Sequence, residues 1–469
     1  MSTNHEPSPP ENGRNTIITV LAWGVILAMT ALIIGAPRND LDLEAEAETG
    51  PLGQTLFTLQ AQYLLGAAQL AGDQQLGPIQ RTLDRWQAAT DWQRIRLAVL
   101  VAEIQDAEAA LQRLREVQEG QDAEPDEGAS VEILTRIFED YSQDDWSAPS
   151  VTPEERDRLK SQLGWFGKLA LAPAQQQEPL REQVVAEARQ TFFSVIAAVV
   201  AVGIVGMLGL FVLLVFGSLL FSGNLSGLNV DRGYGGVYVE TFAVWLVLFL
   251  GLSLVASLWL GTEHLAAVGI ISLGGSLLAL GWPLLRGVSG QRLREDMGWT
   301  TGRGLARECL FGLGCYAMAI PLILITVVLT SLAVGLAGAP GESGGMPVHP
   351  IAIWLAEASW WQMVQVIFLA CVVAPVVEEI MFRGLLYRHL REASDSPRVW
   401  PSVVFSAVVT SVLFAVLHPQ GLPAVPGIVG IALALAFMRE WRDTLAPAIV
   451  AHALNNGVIM LVLIALLAH

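Results

Sequence analysis

Apolar residues along this 469-residue chain fall into long uninterrupted windows near 16–36, 191–221, 241–261, 265–285, 309–337, 361–382, 402–418, 424–438 and 445–467. A helix crossing a bilayer core of about 30 Å needs about 20 such residues at ~1.5 Å each. The pattern therefore predicts an all-α fold, a polytopic membrane helical bundle of about nine spans. The stretch between the first two windows is polar, and its apolar positions recur at helical steps. Leu97, Leu100, Ile104, Ala107, Leu111 and Leu114 trace one amphipathic stripe. An α-helical, water-exposed domain over 37–190 is thus expected to be inserted into the bundle. The predicted order is a tail at 1–15, a membrane anchor at 16–36, the inserted domain at 37–190 and a membrane domain at 191–469.

Composition agrees with the windows: 53% of residues are hydrophobic, 15% are charged, and the mean hydropathy is +0.50. Charge then separates the two parts. Residues 38–189 carry 28 Asp and Glu against 14 Lys and Arg, a balance of −14 out of −17 for the whole chain. No basic face for nucleic acid is expected from such a balance. The three cysteines, Cys309, Cys315 and Cys371, lie in or beside predicted spans and suggest neither a disulfide framework nor a zinc ribbon.

Arginine placement orients the spans, because cytoplasmic loops collect positive charge. Arg286, Arg292, Arg294, Arg303 and Arg307 occupy one loop, Arg383, Arg388, Arg391 and Arg398 another, and Arg439 with Arg442 a third, whereas 338–360 has none. Nine alternating spans with a cytoplasmic N-terminus put all three loops inside and the acidic domain outside, as expected for a multi-pass protein of a bacterial plasma membrane. The first window lacks the small-residue exit site of a cleavable signal, since Ile34 and Pro37 flank Ala36. A retained anchor is expected.

Polar residues within the later windows are few. "VVEEIMFRG" holds Glu378, Glu379 and Arg383, "LFAVLHPQ" holds His418, and "IVAHALNNGVIM" holds His452 and Asn456. A charged side chain at a helix centre in a bilayer costs on the order of 2.5–3.5 kcal/mol on insertion scales, so each needs a partner or a wet cavity. Arg383 lies one turn from Glu379, suited to an ion pair, which leaves Glu378 the freer carboxylate. Carboxylate, two imidazoles and a carboxamide can activate water and hold an oxyanion. They can also serve as ordinary helix-packing contacts, as an ion relay in a transporter, or as part of a non-catalytic scaffold.

Glu378-Glu379-x-x-x-Arg383, Phe414-x-x-x-His418 and His452-x-x-x-Asn456, in that order on separate spans, resemble the three motifs of the CAAX prenyl protease and bacteriocin-processing (Abi) family of intramembrane proteases. The resemblance covers about 240–467. It implies peptide-bond hydrolysis in a membrane cavity, with Glu378 as the base that activates water, His418 sharing that water, Glu379 and Arg383 fixing the helix, and His452 and Asn456 donating to the oxyanion. The implied substrate is a membrane-associated or lipidated peptide or protein, with the lipid bilayer as the other partner. No partner is readable for 37–190. No cofactor is favoured. The alternative is a zinc ion held by Glu378, His418 and His452, although Asn456 beside His452 suits an oxyanion clamp better than a ligand set.

One difficulty concerns depth. On straight crossings His418 stands far from Glu378. The windows 402–418 and 424–438 are short and joined by "PQGLP", so a helical hairpin is expected whose tip, Pro419 to Pro423, stops within the protein and brings His418 within one bridging water of Glu378.

Overall fold

A computed structural model describes residues 16–35, 49–71, 76–86, 88–119, 125–143, 150–173, 179–225, 227–228, 230, 233–261, 264–336, 354–355, 358–394, 398–420 and 424–467. The expected tail at 1–15, most of the arginine-free loop 338–360 and the end of the hairpin tip at 421–423 lie outside them. The described residues form helices, turns and bends without a strand. Two compact units result, one built mainly from Leu41–Ala201 and the other from Met1–Asp40 with Val202–Ala465.

The first unit contains α2 (Pro51–Ala71), α3 (Gly77–Arg85), α4 (Asp91–Ile104), α5 (Ala107–Glu119), α6 (Pro125–Tyr141), α7 (Pro153–Leu163), α8 (Trp165–Ala170) and the start of α9 (Pro179–Phe221), while α1 (Thr16–Gly35) belongs to the second. The predicted stripe does not run along one helix. Gln105 leaves helical geometry at φ −108°, ψ −90°, and the Asp106 carboxylate accepts the Ala109 N–H at 2.7 Å, starting a new helix. Its apolar residues nevertheless share one core: Leu97, Leu100, Ile104, Leu111 and Leu114 are buried with Phe138 and Phe166. A capping box starts α7, where the Thr152 side chain accepts from the Glu155 N–H and the Glu155 side chain accepts from the Thr152 N–H. That backbone bond, with help from Arg136, holds the Glu155 carboxyl below its ordinary value.

The second unit adds α10 (Gly235–Leu260), α11 (Leu265–Leu285), α12 (Gly290–Asp296), α13 (Leu305–Leu332), α14 (Trp360–Ala393), α15 (Val399–Val416), α16 (Val425–Arg442) and α17 (Ala446–Leu467). By length and composition α1, α9, α10, α11, α13, α14, α15 and α17 are able to cross a membrane, eight in all among the described residues. The ninth expected window forms α16, which is not among them because Arg439, Glu440 and Arg442 close it. Helix α1 packs into this bundle. Ala22 and Ile26 are buried with Val237 and Phe242 of α10, and the Trp23 indole donates to His389 Nε2 at 3.1 Å.

Most arginines expected in loops stand in helices instead, Arg292 in α12, Arg388 and Arg391 in α14 and Arg442 in α16, and these four meet at one end of the bundle, whereas Arg383 is buried farther along α14. Asp296 accepts from Arg292, Arg388 and the Tyr238 hydroxyl; Glu440 accepts from Arg391 and Tyr387; Glu308 holds Arg442 at 2.6 and 2.7 Å. Buried carboxylates are thus matched by arginines, as low-dielectric burial requires. Gly298, at φ +77° and with the Arg439 guanidinium 2.7 Å from where a Cβ would stand, carries the α12–α13 loop past this cluster.

Helix α16 reaches the bundle centre by close backbone contact with α13. A Cβ on Gly430 would lie 2.5 Å from Ile323 Cα, and the Thr326 hydroxyl donates to the Pro426 carbonyl at 2.6 Å. Gly427, one turn earlier, has open space. Gly430→Ala is therefore expected to destabilise the detergent-solubilised protein by about 1–3 kcal/mol through overpacking, with Gly427→Ala close to wild type. Thermal unfolding of both variants checks this, and equal behaviour would contradict the contact.

Candidate active site

Helix α14 carries the first polar station and is not a regular α-helix. It widens into π-helical turns at Leu369–Val373 and again at Glu379–Leu386, separated by the α-turn Ala374–Glu378. Pro375 supplies a local reason for the first. Its ring clashes with the carbonyl four residues earlier and it lacks an N–H, and a wider turn relieves both. In the second, Gly384 permits contact with Met297, whose carbonyl would stand 3.1 Å from an added Cβ.

Glu379 and Arg383 are fully buried and paired, with Arg383 Nη1 donating to Glu379 Oε1 at 2.8 Å. Arg383 Nη2 also donates to the Ala432 carbonyl of α16 at 3.0 Å, and its guanidinium carbon lies 4.5 Å from the centre of the Phe414 ring of α15. His452 of α17 completes the group. Its Nδ1 is 2.9 Å from Glu379 Oε1, and its Nε2 is 3.7 Å from Glu378 Oε2. One imidazole thus faces both adjacent glutamates, one through each ring nitrogen.

His418 stands in the turn after α15. Its Nδ1 is 2.6 Å from the Phe414 carbonyl, and because a carbonyl only accepts, that nitrogen carries the proton. Nε2 is left as an acceptor, 4.0 Å from Glu378 Oε2. Two acceptors at that distance are too far apart for a direct bond, but one water donating to each at about 2.8 Å spans them. Glu378 Oε2 has no hydrogen-bond partner among the described residues. The Glu378 and His418 side chains keep 17% and 22% of their surface, whereas Glu379 and Arg383 keep none. That remaining surface does not include Glu378 Oε2, which is itself closed off in this arrangement.

The structure thus brings together Glu378, Glu379, Arg383, His418 and His452. Asn456 stands elsewhere. Its Nδ2 donates to the Ala370 carbonyl, in the first π-turn, at 2.8 Å, and its Oδ1 accepts from Asn455 Nδ2 at 3.2 Å; Asn455 Oδ1 in turn accepts from the Tyr316 hydroxyl at 3.2 Å. Among the described contacts it touches neither Glu378 nor His418. Sequence reasoning missed Tyr316, Asn455 and Ala370 of this chain and the Ala432 carbonyl. The doubled Asn in an apolar helix was a readable signal for one of them; carbonyls leave none. Phe414 was visible as part of a motif, but its three roles, against Arg383, His418 and His452, follow only from the packing of its ring and carbonyl.

The fit of a zinc ion follows from the same distances. Each histidine presents Nε2 while Nδ1 is anchored, as metal-bound histidines do. Ligands at 2.0–2.1 Å on a tetrahedral ion stand about 3.3 Å apart, closer than the 3.7 and 4.0 Å separations from Glu378 Oε2. No group of three or more His, Cys, Asp and Glu among the described residues is arranged to hold a metal ion. The two imidazole Nε2 atoms and Glu378 Oε2 thus stand about 0.4–0.7 Å wider than a bound zinc would set them.

Residues 359–458 match the family model of the type II CAAX prenyl endopeptidase Rce1-like proteins. Over 95 residues the chain is 26% identical to the membrane-embedded CAAX protease MroQ of Staphylococcus aureus (strain USA300), a stretch covering 20% of this chain and 38% of that relative. The chain therefore spans well under half the length of the curated relative it matches. No solved structure matches it. The matched segment holds all six residues singled out above.

Breaking the buried pair on one side leaves an uncompensated charge. Arg383→Met is expected to destabilise the protein by about 3–5 kcal/mol, and Glu379→Gln combined with it to recover most of that loss, because a neutral pair needs no counter-ion. Chemical unfolding of the single and double variants in one detergent measures the difference. Additive losses would contradict the pairing.

Proposed function

We propose that this chain, whose residues 359–458 carry the type II CAAX prenyl endopeptidase Rce1-like domain, is an intramembrane endopeptidase that cleaves a membrane-associated or lipidated peptide with water activated by Glu378. The observation that carries the reading is the unpartnered Glu378 Oε2 facing the Nε2 atoms of His418 and His452, each ring fixed from behind at Nδ1.

In the proposed reaction a water donates to Glu378 Oε2 and His418 Nε2. As its oxygen attacks the scissile carbonyl carbon, one proton passes to Glu378. The carbonyl oxygen becomes an oxyanion, which His452 stabilises through Nε2–H, with Glu379 holding the opposite nitrogen. Collapse of the tetrahedral intermediate breaks the C–N bond while Glu378 returns its proton to the leaving amine, so that atoms and charge balance. Asn456, which the family resemblance assigns to the oxyanion, is bound instead to the Ala370 carbonyl and takes no part in these steps. No metal enters these steps, in keeping with the Glu378–imidazole separations.

The orientation we propose has the arginine-rich end of the bundle in the cytoplasm and the acidic unit outside, in a bacterial plasma membrane. In a background free of native cysteines, Ser161→Cys in α7 is expected to react with a membrane-impermeant maleimide in intact cells, and Thr301→Cys only after permeabilisation. The reverse pattern would invert the topology.

The activity is tested by incubating purified protein with a library of membrane-anchored peptides, with and without a lipidated C-terminal cysteine, and reading products by mass spectrometry. Glu378→Gln is expected to lower cleavage by about 10²–10⁴-fold. Undiminished cleavage by the variant would refute the role of Glu378, and the peptide class that is cut identifies the substrate.

A further inference from the structure

A cavity of about 650 Å³ opens between the α12–α13 loop, α14 and the start of α17. We infer that it is a binding site for one anionic phospholipid. Part of its lining is apolar, made by Leu305, Val376, Leu445, Ile449 and Val450. Its remaining lining is polar, made by Arg294, Thr300 and Thr301 with the ring of Trp299. The two halves match the two halves of a phospholipid, an acyl chain against the apolar part and a phosphate at the arginine.

Charge favours an anionic headgroup over a zwitterionic one. Arg286 and Arg292 of the same loop region are taken up by Glu240 and Asp296, but Arg294 has no ion-pair partner among the described residues. Glu295, the one acidic residue of the lining, accepts from Gln291 at 2.9 Å. Arg303 on the same loop and Arg307 in the first turn of α13 lie outside the lining but add two positive charges to this end. Basic pockets between membrane helices at a loop end hold phosphate headgroups by this chemistry. Trp299 is 45% exposed and Leu305 57%. An aromatic ring beside exposed leucine fits the headgroup boundary, where indoles collect.

Occupancy would bear on the catalytic helices. Val376 precedes Glu378 by two residues, and Val450 precedes His452 by two. The opposite wall is clipped to the start of α17 by the Leu445 N–H to Gly298 carbonyl bond at 2.9 Å and the Thr444 hydroxyl to Thr300 carbonyl bond at 2.8 Å. A lipid chain seated there fills the gap between α14 and α17 and supports the spacing of Glu378 and His452.

Purified full-length protein is to be supplied with equal phosphatidylglycerol and phosphatidylcholine, and the retained lipid counted by native mass spectrometry. This readout does not depend on peptide cleavage. Wild type is expected to retain one phosphatidylglycerol in preference and to melt at a higher temperature with it. Ala446→Phe, which fills the cavity, should lose both effects. Arg294→Gln, a surface change, should weaken retention about fivefold, the equivalent of one basic contact near an anionic headgroup. Arg398→Gln, on another loop, should leave it unchanged. Equal retention of phosphatidylcholine, wild-type retention by Arg294→Gln, or an equal loss in Arg398→Gln would each overturn the site.

Discussion

A carboxylate that keeps none of its surface must be neutralised from within the protein, and the rest of the membrane unit is arranged around that requirement at Glu379. Removing such a charge from water costs several kcal/mol, which only close pairing with further hydrogen bonds offsets. Arg383 supplies the counter-charge from one turn away on the same helix. Its own burial then demands more partners, and the Ala432 carbonyl and the Phe414 ring provide them. His452 meets the same oxygen, Glu379 Oε1, and Oε2 is left without a partner among the described residues. One ion pair on α14 thereby fixes α15, α16 and α17 around it.

That arrangement consumes Glu379 and leaves Glu378. The two π-turns on either side of the Ala374–Glu378 turn set where each neighbouring carboxylate points, and the anchored Nδ1 atoms of His418 and His452 fix where each ring presents Nε2. Groups held in this way need little reorganisation when charge develops, which is where preorganised sites gain most of their effect. The ionic cluster at the arginine-rich end has a different part to play. Asp296 and Glu440 are each satisfied by arginine and a tyrosine hydroxyl, and Glu308 by Arg442 and the Arg303 N–H, so that the buried acids of this end are all matched.

Much of this was legible in the chain. Helical spacing put Arg383 on the face of Glu379, and the isolated polar residues in otherwise apolar windows named Glu378, His418 and His452 before any contact was known. Other features lay beyond such patterns for physical reasons. The stripe through Leu97 and Leu114 continues in phase across Gln105, so periodicity alone does not reveal the break that Asp106 caps. The π-turns depend on how a proline and a glycine are accommodated by neighbours far away in sequence. Asn456 carries the same side chain whether it serves a reactant or the Ala370 carbonyl, and only packing distinguishes them. The bond from Trp23 to His389 joins residues 366 apart and has no local signature.

The central claim is that a glutamate and imidazole, with no metal ion, activate the water. Its most direct test is the cleavage rate of wild-type protein after metal removal verified by elemental analysis, with cleavage in ¹⁸O-labelled water to identify the attacking oxygen. The account predicts an unchanged rate and one labelled oxygen in the new carboxyl terminus. Loss of cleavage that zinc alone restores would contradict it.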